Sequence, residues 1–413
     1  MARNVLIHVF DEYRKATKDF VCPREVLLDK MKYFRAYLNQ ANEHDEIDIS
    51  VHCDVEIFEW LVEYMNQRDV DTRPKITLEN IASILVSSEF LQMDVLVEEC
   101  VAFVTSRMQE FLQLRVDFGC LSDTTITKLA ERCTTEQLQR LQDPKDKILS
   151  KLQRKKLELL LRELQEAKCT LCCCENCELL YLSSEESQLH CSQGVRQLSA
   201  HGELVASHRP KTGWVPDEWL KTVIQDKNVS WGAAYWYVWA STQYMQCDTC
   251  QRYCSLLEFR DCFYHPGQIV GVGAEAKYSC CGARIFLGGE TDGSGCKSRE
   301  HKLAPSTPAT IQKSVQILNA SWSAITSCSK VVRPPPYGRS CLYIDMSIVC
   351  PAPTVEQSAE LDQVLKKPWP MNADAASPRR RRQWQTMRLQ EQDRIRIQVL
   401  TKRLLQLRQN LTV

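Results

Sequence analysis

The 413-residue sequence lacks any apolar run of the roughly 18 to 20 residues that a membrane-spanning helix requires. Its start, MARNVLIHVFDEYRK, reaches charged residues too early for the apolar segment of a signal peptide. It also lacks net charge, because 52 Lys and Arg residues balance 52 Asp and Glu residues. We therefore expect an intracellular protein, nuclear or cytoplasmic or both, that is neither secreted nor built as a whole to coat nucleic acid or a membrane.

Cysteine, in contrast, is abundant and clustered. Of 21 cysteines, six lie between Cys169 and Cys191, seven lie between Cys247 and Cys296, and eight are scattered. In a reducing compartment such clusters indicate metal ligands rather than disulfides. The scattered cysteines are interpreted as small buried apolar residues.

The first 107 residues show strand patterns followed by helix patterns. Alternating or β-branched apolar residues predict strands, and apolar residues three or four positions apart predict helices. The predicted strands cover residues 5–9, 20–22 and 47–51, and the predicted helices cover residues 26–38, 57–65, 78–86 and 93–104. Pro23 stands where the first turn of a helix tolerates proline. This order predicts an α+β domain.

Three segments within residues 1–107 resemble the BTB/POZ fold: CPREVLLDKMKYFRAYL, IDISVHCDVEIFEWLVEYM and ILVSSEFLQMDVLVEEC. The resemblance implies a domain that self-associates into a homo-oligomer. Many dimerising BTB domains carry an additional N-terminal strand and helix that exchange between partners, whereas here the first core strand begins at Val5. We therefore expect self-association to use another surface.

The remaining sequence outside the cysteine clusters divides into three parts. Residues 108–168 predict a helical extension, and residues 304–378, rich in Pro, Ser and Ala, predict a partly ordered linker. Residues 379–413 predict a basic helix with ten Lys and Arg residues and two acidic ones. Its four arginines from Arg379 are interpreted as a nuclear import signal, a phosphate-binding patch that contacts DNA, or a solvated charge run.

The second cysteine cluster has the sharpest motif. Structural zinc takes four Cys or His ligands, and two ligands separated by two residues come from one turn. Six cysteines and two histidines give eight ligands, the number for two closed sites: Cys247, Cys250, Cys262, His265, Cys280, Cys281, Cys296 and His301. Cys254 is an alternative to Cys250. The block YHPG…YSCC…GC…H also resembles the CHORD zinc-binding module, in which such a run binds two zinc ions.

The first cluster predicts a third site. Its expected ligands are Cys174, Cys177, Cys191 and His208. His201 is an alternative to His208, and Cys169 with Cys172 forms a competing pair. The chain is thus predicted to hold two or three structural zinc ions in a Cys- and His-rich domain over residues 169–303.

Aromatic residues separate the two clusters: Trp214, Trp219, Trp231, Tyr235, Trp236 and Trp239. Regularly spaced tryptophans also suggest a Myb/SANT-type helical domain. The favoured interpretation is that these rings form a core that holds the two metal clusters together.

The order of these parts resembles the SANT-and-BTB-domain regulator of class switch recombination family. The resemblance rests on the BTB segments, on CCENCELL…HC…HGELV, on the tryptophan-rich stretch, on YHPG…CC…GC…H and on SPRRRRQWQTMRLQEQDRIRIQVL. It implies self-association, contact with transcriptional corepressor proteins and action in the nucleus. The sequence starts at the BTB segments without a SANT domain, so the chromatin contacts of that domain are not implied.

The favoured function is therefore a non-enzymatic scaffold, and three alternatives remain. As a substrate adaptor of a cullin-type ubiquitin ligase, the chain would use residues 108–165 as a helical extension that supports cullin binding. A zinc deaminase is disfavoured, because His201-Gly202-Glu203 and Cys247-x2-Cys250 match its motif without the proline before the cysteines and with a long gap. Nucleic-acid binding by residues 247–303 is disfavoured because basic and acidic residues there are nearly balanced.

Overall fold

The structure is a computed structural model that describes residues 4–12, 14–38, 48–67, 72–116, 118–191, 193–194, 197–198, 204–205, 207–271, 277–282, 295–305 and 307–333. It divides into two compact units, each described here by itself. The first unit comprises Met1–Lys168, Thr222–Trp239 and Gln316–Cys328, and the second comprises Cys169–Lys221, Ala240–Val315 and the residues from Ser329 onward.

The first part of the chain places its strands before most of its helices. The elements are β1 (Asn4–Asp11), β2 (Ala16–Pro23), α1 (Arg24–Lys30), α2 (Arg35–Leu38), β3 (Asp48–His52), α3 (Val55–Asn66), α4 (Ile81–Phe90), α5 (Asp94–Ser106), α6 (Met108–Gln113), α7 (Asp123–Arg132), α8 (Thr135–Arg140) and α9 (Leu149–Glu166). The sheet has the order β2-β1-β3, in which β1 is antiparallel to β2 and parallel to β3. Val5, Ile7 and Val9 of the central strand are buried, because alternate residues of a strand point to the same face.

The predicted helix over residues 26–38 is interrupted, which corrects the sequence-based expectation. α1 ends before Met31, whose backbone (φ −118°, ψ 83°) is not helical, and a 3-10 turn over Lys32–Phe34 precedes α2. The amide of Tyr33 donates to the carbonyl of Leu91 at 3.2 Å. A tertiary hydrogen bond therefore replaces one that a continuous helix would make, while the apolar spacing still buries Leu27, Met31, Phe34 and Leu38.

Helices cover one face of the sheet and close the core. The rings of Phe20 in β2 and Phe58 in α3 lie 5.0 Å apart, and Phe58 is fully buried. α3 begins at this position because the Asp54 carboxylate accepts hydrogen bonds from the amides of Glu56 and Ile57 at 2.9 and 3.1 Å. The strand and helix patterns of the first hundred residues are thus confirmed in type and order.

The helical extension belongs to the same unit as the sheet. Glu98 of α5 pairs with Lys128 at 2.9 Å and with Arg132 at 2.7 Å, both in α7. Hydrogen bonds from these two cations lower the pKa of the Glu98 carboxyl. Leu152 and Leu157 on the inner side of α9 are fully buried, whereas Leu160, Leu161 and Leu164 of the same helix are half-buried.

From Cys169 onward the strands are short. The elements are β4 (Leu171–Cys173), β5 (Leu180–Leu182), β6 (Gln197–Leu198), β7 (Leu204–Val205), α10 (Pro216–Lys221), α11 (Trp231–Ser241), β8 (Tyr244–Gln246), β9 (Tyr253–Ser255), β10 (Cys262–Tyr264), β11 (Ile269–Val270), β12 (Lys277–Tyr278), β13 (Lys297–Arg299) and α12 (Ala309–Val332). The antiparallel pairs are β4-β5, β6-β7, β8-β9, β10-β13 and β11-β12. Strands of two or three residues cannot bury a core by themselves.

The tryptophan-rich helix α11 lies mostly in the first unit, which corrects the interpretation of its rings as the core between the metal clusters. The guanidinium of Arg154 in α9 lies 5.3 Å from the ring centroid of Trp231. Burial raises the pKa of the Tyr235 hydroxyl to about 12. Trp214 and Trp219 lie in the second unit, with ring centroids 6.3 Å apart.

The predicted Pro- and Ser-rich linker contains a long helix. α12 spans 24 residues, and Leu318, Ile325 and Cys328 on it are buried. Its sequence has proline immediately before it and again from Pro334, but none within it, so the prolines delimit the helix rather than break it. Residues 334–413, which include the rest of the linker and the predicted basic helix over 379–413, lie outside the described residues. Within the described part of the chain, no helix is both long and apolar enough to cross a membrane.

We expect the buried face of α5 to contribute to stability and its exposed face to contribute little. Val101→Ala, at a fully buried position, removes two methyl groups and should lower the free energy of unfolding by about 2 kcal/mol. Val95→Ala on the same helix, where the side chain is 65% exposed, should change it by less than about 0.5 kcal/mol. Hydrogen exchange of β1 and α5 peptides in the full chain measures both; equal effects would contradict the packing described.

Candidate metal centres

Two hairpins each present a pair of cysteines in a tight turn. In the hairpin β4-β5, the amide of Cys174 donates to the carbonyl of Leu179 at 2.9 Å, and Glu178 adopts a left-handed backbone with φ +56°. In the hairpin β8-β9, the amide of Cys247 donates to the carbonyl of Arg252 at 2.9 Å, and Gln251 has φ +56°. The same turn therefore orients both Cys-x2-Cys pairs.

The first cluster consists of Cys174, Cys177, Cys191 and His208, which are all buried and whose ligand atoms lie within 4.8 Å of one another. The Sγ atoms of Cys174 and Cys191 are 3.8 Å apart. The Sγ atom of Cys177 is 3.5 Å from Nδ1 of His208. His201, the alternative ligand, lies outside the described residues.

The second cluster consists of Cys247, Cys250, Cys262 and His301, again with ligand atoms within 4.8 Å. The Sγ atoms of Cys247 and Cys262 are 3.8 Å apart, and the Sγ atom of Cys250 is 3.5 Å from Nδ1 of His301. Cys250 is half-buried and the other three side chains are buried. The distances match those of the first cluster pair by pair.

The backbone around these two clusters is also repeated. Glu175 donates its amide to the carbonyl of Arg209 at 2.8 Å, and Asp248 donates its amide to the carbonyl of Lys302 at 2.8 Å. In each case the acceptor directly follows the histidine ligand. Isolated bridges pair Cys174 with Pro210 and Cys247 with Leu303, at the next position along. The two clusters are thus built by one structural unit that occurs twice, a feature that the sequence analysis missed.

Tyrosine side chains join the two copies of this unit. The Tyr244 hydroxyl oxygen accepts a hydrogen bond from the amide of Leu182 at 2.8 Å. The Tyr253 hydroxyl donates to the carboxylate of Glu185 at 2.9 Å, and the two tyrosine rings stack with centroids 5.7 Å apart. Burial raises the pKa of Tyr244, so this hydroxyl stays neutral. The two hairpins are therefore joined by hydrogen bonds as well as by packing.

The third cluster consists of His265, Cys280, Cys281 and Cys296. It lies in the sequence between the third and fourth residues of the second cluster, Cys262 and His301. The pair Cys262-x2-His265 therefore does not supply one site from one turn, as its spacing suggested, because its members belong to different clusters. His265 is half-buried, and its three cysteines are exposed.

The third cluster is compact. Nδ1 of His265 is 3.6 Å from the Sγ atom of Cys280 and 3.3 Å from that of Cys281. The Sγ atoms of Cys280 and Cys296 are 3.5 Å apart. The imidazole of His265 also stacks on the Tyr278 ring, with centroids 3.8 Å apart and planes 5° from parallel.

Two glycines allow the close approach of backbone segments in the third cluster. A Cβ atom at Gly267 would collide with the amide nitrogen of Cys280 and lie 2.6 Å from Oγ of Ser279. A Cβ atom at Gly295 would collide with the backbone nitrogen of Tyr264. The glycines of the sequence motifs YHPG and GC are thus required by space rather than by turn conformation.

The donor sets and distances suit a tetrahedral metal. A zinc ion with Zn–S bonds of about 2.3 Å and Zn–N bonds of about 2.0–2.1 Å has S···S edges of about 3.8 Å and S···N edges of about 3.6 Å. The first two clusters have corresponding edges of 3.8 and 3.5 Å. A disulfide would instead bring two sulfurs to about 2.05 Å. In the described residues, three Cys/His clusters can therefore hold metal ions.

The pKa shifts in the first cluster favour one buried thiolate, at Cys174. Hydrogen bonds from Cys177 and Cys191 lower the pKa of the Cys174 thiol, whereas the bond to Cys174 raises the pKa of Cys177. Desolvation acts to lower the pKa of His208, but interactions with the Cys174 and Cys191 sulfurs outweigh it and raise the pKa to about 9. A buried thiolate is costly unless a positive charge accompanies it, and a divalent cation supplies that charge.

In the other two clusters, the pKa values of His301 and Cys280 shift in the direction that metal ligands need, whereas the pKa values of Cys262 and Cys296 are raised. Burial, with the nearby charge of Arg252, lowers the pKa of His301 to about 4, so its imidazole is neutral at pH 7. Desolvation acts to raise the pKa of Cys280, but the hydrogen bond with His265 lowers it to about 7 overall. Metal binding requires neutral imidazole and thiolate, the forms that the shifts at His301 and Cys280 favour.

The competing cysteines lie outside the three clusters. Cys169 and Cys172 are half-buried, and the Cys172 thiol donates to the carbonyl of Thr170 at 3.7 Å. Burial raises the pKa of Cys173 to about 11 and also raises that of Cys254. Cys254 lies in β9, one residue beyond Tyr253, and does not take the place of Cys250.

The fold of the first hundred residues and their sequence define a BTB domain. Residues 5–101 match the family described as "SANT and BTB domain regulator of CSR, BTB domain". The chain therefore carries a BTB domain that matches the model of this family, and the resemblance is confirmed for residues 5–101. Among solved structures, the BTB domain of zebrafish PATZ1 is similar at 14% identity with a TM-score of 0.20, over 24% of this chain and 75% of that chain. A BTB domain indicates a protein-interaction scaffold.

We expect neighbouring cysteines to differ in their effect on metal content. Cys250→Ser removes a donor of the second cluster and should lower the bound metal by one ion per chain. Cys254→Ser, a matched change four residues away at a buried thiol outside the clusters, should leave the metal content unchanged. Elemental analysis of the purified variants measures this; loss of metal from Cys254→Ser alone would show that the second cluster is wrongly assigned.

Proposed function

We propose that this chain is a non-enzymatic scaffold that self-associates through its BTB domain and carries three structural zinc sites. In this proposal residues 1–107 are the BTB domain, residues 108–168 its helical extension and residues 169–303 a zinc-stabilised domain. The observation that carries the proposal is the occurrence of three four-membered Cys/His clusters in a chain with a BTB domain.

Zinc is the metal that the donor sets favour. Each cluster offers three thiolates and one imidazole, a combination typical of structural zinc. Catalytic zinc sites keep one position for water or substrate, whereas here four protein donors complete a tetrahedron. This arrangement supports a structural role and argues against a deaminase-like reaction at Cys247 and Cys250.

The size of the secondary structure elements around the clusters makes zinc a source of folding free energy. The strands β4 to β13 are two or three residues long. Structural zinc in small finger peptides contributes on the order of 10–16 kcal/mol of apparent binding free energy. That exceeds what such short hairpins gain from their own pairing, so the clusters would determine whether this region folds.

We expect chelation to unfold the zinc region and leave the BTB domain folded. A strong chelator should abolish the hydrogen-exchange protection of β4-β5 and β8-β9, because their Cys-x2-Cys turns depend on the metal. Peptides from β1 and α5 should keep their protection, since their core is apolar. Addition of zinc should restore the lost protection. A zinc-free chain whose hairpins remain protected would contradict the proposal.

An exposed aromatic cluster supports self-association of the BTB domain. Tyr37 is 51% exposed and Phe90 is 56% exposed. The Tyr33 ring lies between them, with centroids 5.7 Å from Tyr37 and 4.8 Å from Phe90. Adjoining exposed aromatic rings are typical of interaction surfaces. We propose that a second copy of the chain covers this cluster, defined by Tyr33, Tyr37 and Phe90.

We expect a charge in this aromatic cluster to separate the copies. Light scattering of the zinc-loaded chain should give at least twice the 47.6 kDa mass of one chain. Phe90→Glu should give the single-chain mass, because burial of an unpaired carboxylate is unfavourable. Val116→Glu, at a position that is 40% exposed and follows α6, is the control and should stay associated. A monomeric wild-type chain would contradict self-association, and an associated Phe90→Glu would reject this surface.

The partners and cellular location are proposed from the family resemblance. The resemblance supports nuclear regulation of transcription, chromatin or recombination through corepressor proteins, with nuclear or cytoplasmic residence and no secretion. The alternative is a substrate adaptor of a cullin-type ubiquitin ligase, favoured by the helical extension α6 to α9, which forms one unit with the BTB domain. Co-purification of the full chain with a cullin would favour the adaptor, and co-purification with deacetylase-corepressor subunits would favour nuclear regulation.

A further inference from the structure

The three clusters differ sharply in exposure. All four side chains of the first cluster are buried, and those of the second are buried except for the half-buried Cys250. In the third cluster the sulfurs of Cys280, Cys281 and Cys296 are all exposed. Oxidation of cysteine follows thiolate character and solvent access. The third cluster is therefore the one that a dissolved oxidant can reach directly.

The geometry of the third cluster also suits disulfide formation. The Sγ atoms of Cys280 and Cys296 are 3.5 Å apart, so a modest approach brings them to bonding distance. These two residues lie in different segments, whereas Cys280 and Cys281 are adjacent and would form a small ring. The pair Cys280 and Cys296 is thus the favoured disulfide.

Among the described residues around the third cluster, several apolar side chains are exposed rather than packed in a core. Phe263, Ile269 and Val270 are 46%, 53% and 50% exposed, so the strands β10 and β11 do not cover an apolar core. The strand β13 is exposed along its whole length. The ends of this segment are nevertheless fixed, because Cys262 and His301 belong to the second cluster.

We propose that the third cluster is a site of oxidation by hydroperoxides, which releases its zinc while the other two clusters remain loaded. The proposal rests on the proposed function, since it requires zinc to occupy the clusters. It assigns to the chain a modification site whose substrate is hydrogen peroxide or a small organic hydroperoxide.

The reaction balances as a two-electron oxidation. The Cys280 thiolate attacks one peroxide oxygen, an S–O bond forms, the O–O bond breaks, and the leaving hydroxide takes a proton to become water. The Cys296 thiolate then attacks the Cys280 sulfur, an S–S bond forms, and the S–O bond breaks with release of a second hydroxide that becomes water. Two thiolates lose two electrons, the peroxide gains them, and zinc departs because two of its four ligands are gone.

Oxidation of the third cluster changes only the segment between Cys262 and His301. Loss of the third zinc frees the described strands between Cys262 and His301, which carry the exposed apolar residues of β10 and β11. Cys262 and His301 stay bound to the second zinc, so the remainder of the zinc region keeps its fold. Reduction of the disulfide and addition of zinc reverse the change.

The test uses the full chain, loaded with zinc and treated with hydrogen peroxide. Zinc release is followed with a colorimetric chelator, and thiols are mapped by alkylation and peptide mass spectrometry. One of the three zinc ions should leave at least about tenfold faster than the others, and a peptide that joins Cys280 to Cys296 should form in the same phase. Dithiothreitol with zinc should restore the original content.

Two variants and the unmodified chain distinguish failure of the oxidation site from failure of the structural zinc sites. Cys191→Ser disables the first cluster and should retain the fast phase, whereas Cys296→Ser should lack it. Equal release rates for all zinc ions, or zinc loss with Cys280 and Cys296 still reduced in the unmodified chain, would overturn the oxidation site and leave the structural zinc sites intact. An untreated chain without zinc would instead refute the proposed function.

Discussion

The structure of the second unit depends on the convergence of three sulfurs and one imidazole nitrogen at a single point. Its hairpins have only two or three residues per strand, so strand pairing alone does not stabilise them. The Cys-x2-Cys turns are oriented by a residue in the left-handed region, Glu178 in one copy and Gln251 in the other. The segment after each histidine ligand then pairs with the turn through one backbone hydrogen bond. Without four donors held together, these local features have no reason to persist.

Much of this arrangement follows from the sequence. The β1, β2 and β3 patterns identified the sheet, because alternation in Val5, Ile7 and Val9 is a local property of the strand. The choice of cysteines was similarly local, since a Cys-x2-Cys pair forms one turn wherever it occurs. The twelve expected ligand residues come together in the structure as three groups of four, while their identity as zinc ligands stays a prediction.

Other features depend on distant contacts that spacing does not encode. The division of Cys262 and His265 between two clusters is decided by residues far along the chain. The helix α11 is apolar on all sides, so its sequence could not indicate which unit would bury it. The break at Met31 accompanies a hydrogen bond from the amide of Tyr33 to the carbonyl of Leu91 in another segment. The repeated unit was hidden because its copies share the Cys-x2-Cys turn and the backbone pairing but not the overall ligand spacing. His208 lies 17 positions after Cys191, whereas His301 lies 39 positions after Cys262.

The position of the third cluster inside the second copy has a topological consequence. The third cluster closes a loop that lies within the loop between Cys262 and His301 of the second cluster. Its closure therefore shortens the flexible chain that the second cluster must close. Each doubling of the length of a flexible loop costs only about 0.6 kcal/mol in closure entropy. The loop closed by the second cluster therefore tolerates the insertion of the third cluster at little cost. The first copy shows the same unit without such an insertion. Among its described residues, no further cluster lies between Cys191 and His208. The loop closed by the third cluster is therefore nested within the longer loop closed by the second cluster.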